Sequence, residues 1–309
     1  MSITPVLSSF VFRLGRILKL LPKAAVAWWN DDVFRLSASL AFYTIFSLAP
    51  IMLLATALAG MVFGEDTAQR QLVAQIEALV GTEGGRVVER MVETLRTSGS
   101  GAAAAAIGVL SVLIGSTVVF AELQSALNKI WDVRADASRG MLRDLVEKRV
   151  LSLILVIGVG FLLLVSLVID AVLTGTQELL AAHTPSVPWL WQTVNRAVSF
   201  AITTLLFMMI YKLLPDVRLA WKDVAIGAFV TAILFSVGKV AIGFYLGRMS
   251  VGSAYGAAGS FVVLLVWIYY SALISFFGAE FTQVYARHEG SGLRPEPHAV
   301  RRGDKPRSA

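Results

Sequence analysis

LSASLAFYTIFSLAPIMLLATALAGMVFG, residues 36–64, runs for 29 residues without a charged side chain. A helix rises 1.5 Å per residue, and a bilayer core is crossed by roughly 20 predominantly apolar residues. This stretch is therefore read as a transmembrane helix. Inside it, Pro50 lacks the amide hydrogen that would bond to the Phe46 carbonyl, so a helix break is expected there.

The same pattern recurs along the chain. Thr97–Ala121, Val150–Ile169, Ala197–Tyr211 and Met249–Ala279 are also free of charge, and Val224–Leu246 is interrupted only by Lys239. The fourth of these reaches spanning length if Lys212 snorkels and the helix continues to Leu214. The expected fold class is all-α: a polytopic membrane protein with six transmembrane helices, an N-terminal interfacial helix, and an extracytoplasmic helical hairpin between spans one and two. Composition agrees. The chain is 56% hydrophobic and 16% charged, against roughly 45–50% apolar residues in soluble domains. Cysteine is absent, which excludes a disulfide framework, a thiolate metal site and a cysteine nucleophile. The first apolar stretch, interrupted by Arg13, Arg16 and Lys19, does not read as a secretory signal peptide.

Charge orients the helices. Of the 27 Lys and Arg, 20 fall before span one, after spans two and four, and in the tail, whereas six fall on the alternate segments and Lys239 lies within a span. Positive charge marks cytoplasmic loops, so both termini are expected on the cytoplasmic side. The net charge of +6 is then a topological signal rather than a nucleic-acid interface.

Three regions follow. Residues 1–29 form an amphipathic interfacial helix, with Val6, Phe10, Leu14, Ile17 and Leu21 on one stripe and Trp28 and Trp29 at headgroup depth. Residues 30–285 are the membrane domain, including the hairpin at 66–97, whose two apolar repeats are divided by Gly81-Thr82-Glu83-Gly84-Gly85. Residues 286–309, rich in Arg, Pro and Gly, are expected to be a disordered basic cytoplasmic tail.

Polar groups inside the spans mark candidate sites, because charge in lipid is costly. By helical rise, Glu122 lies about 13 Å and Lys239 about 12 Å from the nearer interface. Ser39, Tyr43 and Ser47 follow one another at i+4 spacing after Arg35, a polar stripe on an apolar helix. These five are the candidate substrate-binding residues. The competing reading has them holding helices together, as small and hydroxylated residues do in membranes. Gly60/Gly64 and Gly243/Gly247 have the GxxxG spacing that permits close helix approach. No catalytic residue, metal ligand or cofactor is expected. His183, His288 and His298 lie outside the spans without partners at ligand spacing, and no P-loop, dinucleotide fingerprint or nucleophile elbow occurs.

Four segments carry a family resemblance: Ala38–Pro50 (ASLAFYTIFSLAP); Leu123–Trp131 (LQSALNKIW); Tyr211–Asp216 (YKLLPD) with Gly227-Ala228; and Tyr255–Ser260 (YGAAGS) leading to Trp267-Ile268-Tyr269 and Gly278-Ala279-Glu280. In this order, across about residues 30 to 285, the chain resembles the YihY/BrkB family of bacterial inner-membrane proteins. The resemblance implies a six-span fold. Members have carried the labels virulence factor BrkB and ribonuclease BN, and are discussed as movers of solutes or lipids. The preferred expectation is a transporter or exporter of an unidentified solute or lipid-like anion, working with membrane lipids and not with nucleic acid; a homo-oligomer is left open. The alternative is a non-transporting scaffold or envelope-integrity protein. A membrane ribonuclease comes last, because no paired carboxylates with histidines stand ready to hold two metals.

Overall fold

The structure, a computed structural model, describes residues 19–80, 118–135, 188–248, 259–296 and 299–301, together with residues 15, 85, 86, 89, 90 and 93. In chain order the helices are α1 (19–30), α2 (Val33–Phe63), α3 (Glu65–Val80), α4 (118–130), α5 (Pro188–Leu213), α6 (Trp221–Arg248) and α7 (Gly259–His288). Four short strands accompany them: β1 (Val133–Ala135), β2 (Val217–Arg218), β3 (Arg294–Pro295) and β4 (Ala299–Arg301). Predicted span three and nearly all of span two lie outside the described residues.

Among the described residues, three segments are long and apolar enough to cross a membrane: Thr193–Leu213 in α5, Trp221–Tyr245 in α6 and Phe261–His288 in α7. Helix α2 is 31 residues long with Arg35 as its only charge. It runs without interruption through Pro50, so the expected break does not end the helix. The reason is that proline costs one backbone bond, and neighbouring groups in a membrane helix can satisfy the freed carbonyl.

Helix α6 turns small residues inward and large apolar residues outward. On α6, Gly227, Ala228, Thr231 and Ala232 are buried, whereas Phe229, Ile233, Val237, Val240 and Phe244 form an exposed stripe. That inverts the soluble-protein pattern and matches a helix whose outer face meets lipid, where only packing draws helices together. α7 is the central element, packing against both α2 and α6, and α6 also packs on α5.

Close approach of α6 and α7 depends on two reciprocal contacts. A Cβ at Gly227 would overlap Thr282, and a Cβ at Gly278 would overlap Thr231. Each threonine lies four residues beyond the glycine of its own helix and donates its hydroxyl to that glycine's carbonyl, Thr231 to Gly227 at 2.8 Å and Thr282 to Gly278 at 2.6 Å. By contrast, the GxxxG members Gly64 and Gly243 have nothing within 4 Å of an added Cβ.

Both ends of the chain depart from expectation. Residues 19–30 are helical, but Leu20 and Ala24 are buried against Phe281 and Val284 rather than facing only lipid, and Trp28 Nε1 donates to Leu273 O at 3.2 Å. The remainder of the predicted stripe lies outside the described residues. The disordered tail from residue 286 is corrected more sharply. α7 continues to His288. β3 then pairs antiparallel with β2 (Val217 opposite Pro295), and β4 with β1 (Arg134 opposite Val300). These strands are two or three residues long and their partners are distant in sequence, so no local periodicity announces them. Ala299 and Val300 are nonetheless buried.

Candidate functional site

The structure places the five predicted binding residues in different environments. Ser47 is buried and donates to the Tyr43 carbonyl of its own helix at 2.8 Å, a bond that needs no substrate. Tyr43 is exposed, Ser39 half-buried, and the fully buried serine of this turn is Ser37. Glu122 is half-buried on α4, and Lys239 is exposed on α6, the helix that turns its large apolar residues outward.

Polar side chains gather instead at one end of the bundle. Asp216, in the turn between α5 and β2, is 5% exposed. It accepts from Gln124 Nε2 at 3.0 Å and from Asn128 Nδ2 at 2.7 Å, while its own amide donates to Asn128 Oδ1 at 2.8 Å. Two residues on α4, one helical turn apart, thus clamp the turn after α5. Gln283 on α7 reaches the same end and donates to Ile130 O at 2.6 Å. Lys129 Nζ donates to Asp31 O at 2.6 Å and to Asp32 Oδ2 at 3.1 Å, tying α4 to the corner between α1 and α2.

Glu280, part of the YihY/BrkB-like segments, is fully buried on α7, and neither carboxylate oxygen has a hydrogen-bond donor. The charged groups acting on it are Asp31 across the α1–α2 corner, Arg287 about two turns further along α7, and Lys129 on α4. Sequence depth alone gave Glu280 no weight because it lies near a helix end. What depth does not reveal is that the α1–α2 corner covers it.

Asp32 occupies a left-handed backbone position, φ 56°. The Lys129 ammonium beside it holds its carboxyl below the usual carboxylate range, with Arg35 adding to the effect. A depressed native value stabilises the fold above the unfolded-state value near pH ~4, and the contribution fades as pH falls through the native value. Lys129→Met is therefore expected to lower the melting temperature at neutral pH by a margin that narrows in acid. A margin independent of pH would show that Lys129 acts only through its bond to the Asp31 carbonyl.

Two concavities flank this network. The first is a cavity of about 170 Å³ between α2, α4, α5 and α7, walled by Leu40, Leu127, Ile210, Tyr211, Ala272 and Ser275 among others. Its one deeply buried hydroxyl, Tyr211 Oη, donates to Ser275 O at 2.6 Å and lies 3.3 Å from Thr231 Oγ1. The second is a groove of about 370 Å³ between the end of α4, the end of α7 and the strand pairs.

A family model described as virulence factor BrkB matches residues 24–303. The curated relatives include UPF0761 membrane proteins of Ralstonia nicotianae, 27% identical over 81% of this chain and 55% of the relative, and of Paraburkholderia xenovorans, 28% identical over 87% and 60%. Another, from Pseudoalteromonas atlantica, is 25% identical over 82% of each chain. The chain thus spans about 55 to 62% of the length of the Ralstonia relative and of those from Chromobacterium violaceum and Alkalilimnicola ehrlichii. No solved structure matches.

Proposed function

The chain belongs to the virulence factor BrkB family of bacterial membrane proteins, and from that premise we propose that it is an inner-membrane transporter or exporter of an unidentified solute or lipid-like anion. In this reading it has six spans, with the hairpin at 66–97 outside and both termini in the cytoplasm. The gathering of Lys129, Arg134, Lys212, Arg218, Lys222, Arg287 and Arg301 on segments at one end of the bundle supports that orientation.

The observation that carries the reading is the 170 Å³ cavity where four helices meet. It is about the size that admits one apolar ring or a short branch of a chain, and it lies beside the buried polar network. An amphipathic anion would place its apolar part among Leu40, Leu127 and Ile210. Its polar part would face Ser275 and the cytoplasmic cluster.

Ala272, 5% exposed, lines the cavity. Ala272→Leu is expected to fill the space and slow movement of a fluorescent short-chain anionic phospholipid in proteoliposomes on the order of tenfold, with a melting temperature at or above that of the wild type. Equal rates for wild type, Ala272→Leu and protein-free vesicles would remove the lipid-anion reading. Glu122→Gln and Lys239→Met belong in the same assay: unchanged movement in both takes those two residues out of the mechanism.

A scaffold reading has its own support in a groove of about 720 Å³ beside α3, lined by Asp66, Glu77, Glu89 and Glu93, with Arg70 the one basic residue among the described residues of its wall. Its acidic character suits a basic partner. Stoichiometric crosslinking from Glu89→Cys to another protein, with no lipid movement, would favour it.

A further inference from the structure

We infer that the groove walled by Trp131, Arg287 and Arg301 binds a phosphate-bearing anion at the basic end of the bundle. The inference does not depend on transport; it holds equally for a scaffold.

Chain segments from three regions build the groove. Trp131 and Asp132 follow α4, Arg287 lies in the last turn of α7, and Arg301 ends β4, which reaches the site only because the C-terminal segment folds back onto β1. Neither arginine is fully engaged. Arg287 Nη2 stands 3.9 Å from Asp132 Oδ2, with both side chains about half exposed, a separation at which an ion pair contributes little. Arg301 Nη2 donates to Leu293 O at 3.2 Å, leaving its other guanidinium donors free to face a ligand.

Trp131 supplies a second, independent sign. It is 1% exposed, and its Nε1 has no hydrogen-bond partner. A buried donor without an acceptor costs about 1–3 kcal/mol, and a ligand oxygen that displaced the side chains shielding it from the groove would recover that cost. Two guanidinium groups and an indole N–H form a set rich in donors, and a phosphate presents oxygens in several directions to meet them. Among the described lining residues Asp132 is the single acid, which leaves the two arginines in excess. Val133, Val217, Leu293 and Pro295 complete an apolar flank, so the ligand suited to the groove joins phosphate to a less polar body. Arg287 also lies at the end of the membrane-length helix α7, the depth at which lipid headgroups lie. Phosphate chemistry is common to a phospholipid headgroup and to free phosphate, and the test separates them.

The full chain, purified in neutral detergent, would be titrated with short-chain phosphatidylglycerol and, separately, with inorganic phosphate, following the melting temperature and native mass spectra. Saturable binding is expected, weakened on the order of tenfold in Arg287→Gln and in Arg301→Gln, the effect of losing one charge-assisted contact, and by a few-fold in Trp131→Phe. Binding of lipid without competition by phosphate identifies a headgroup site; equal competition identifies free phosphate. Should either arginine variant fail to fold, Leu293→Trp crowds the groove while keeping both charges and is expected to weaken binding equally. No saturable binding of either probe, or binding unaltered in folded Arg287→Gln, Arg301→Gln and Leu293→Trp, overturns the inference.

Discussion

Gly278→Ala is expected to destabilise the protein by about 3 kcal/mol, at the upper end of what one added methyl costs in a packed core. The new Cβ would overlap Thr231 Oγ1 and lie 2.6 Å from Thr231 Cγ2 and 2.7 Å from Tyr211 Oη. None of these neighbours yields easily. Thr231 is β-branched, stiff at χ1 and bonded to Gly227 O, while Tyr211 is fully buried and bonded to Ser275 O. The methyl must therefore push α6 away from α7. Thr231→Ala, introduced together with Gly278→Ala, removes the overlapping atoms and is expected to recover part of the loss, whereas two independent sites would simply add. Gly243→Ala is the counterpart of opposite sign. Nothing lies within 4 Å of its added Cβ, so the helix gains about 0.5–1 kcal/mol from the lower backbone entropy of alanine. Chemical unfolding in detergent micelles measures all three. A Gly278→Ala variant as stable as Gly243→Ala would show that the two helices are not locked at this crossing.

That pair of glycines also shows what a sequence can disclose. Hydropathy located α2, α5, α6 and α7 because each must present about 20 apolar residues to lipid, a constraint that leaves little freedom in composition. The faces of those helices were much less legible. Inside and outside are both apolar in a membrane helix, so the contrast that exposes the core of a soluble protein is absent. GxxxG spacing drew attention to Gly243, whose added Cβ would meet nothing within 4 Å among the described residues, while Gly227 and Gly278 make the crossing with a threonine four residues on. The informative signal was the repeated Gly-x-x-x-Thr, whose meaning depends on two helices meeting. Site residues were missed for a related reason. Depth in a span singled out Lys239, an exposed side chain on the lipid-facing helix, whereas Asp216, Gln124, Asn128 and Glu280 sit near helix ends where charge is ordinarily cheap. Asp216, Gln124 and Glu280 are buried and Asn128 half-buried because the α1–α2 corner and the returning C-terminal segment close over that end, and such long-range contacts leave no local trace.

Asp216→Ala tests how much depends on that closure, and a loss of about 4 kcal/mol is expected. Hydrogen bonds to a charged group contribute about 1.5–3 kcal/mol each, and a buried donor left without an acceptor costs about 1–3 kcal/mol. Here both penalties arise together, since Gln124 is 6% exposed and its amide would have no carboxylate to meet. Asn128 loses its acceptor in the same step, although the backbone amide of residue 216 can still donate to Asn128 Oδ1. The effect extends beyond α4. The Asp216 carbonyl accepts from Glu296 N at 3.1 Å, and the neighbouring Val217 pairs with Pro295 in the β2–β3 ladder. The turn therefore holds the C-terminal segment as well as α4. Asn128→Ala alone is expected to cost less, and combining it with Asp216→Ala should add little, because one network is being dismantled. Asp216→Asn retains the shape but turns one amide N–H towards existing donors, so it should fall between wild type and Asp216→Ala. Proteolysis at residues 289–296 would report the second consequence: Asp216→Ala is expected to open this segment to cleavage under conditions in which α7 stays protected. Equal protection of the segment in wild type and variant, with additive losses from Asn128→Ala and Asp216→Ala, would separate the α4 clamp from the anchoring of the C-terminal strands and leave Asp216 as a local turn residue.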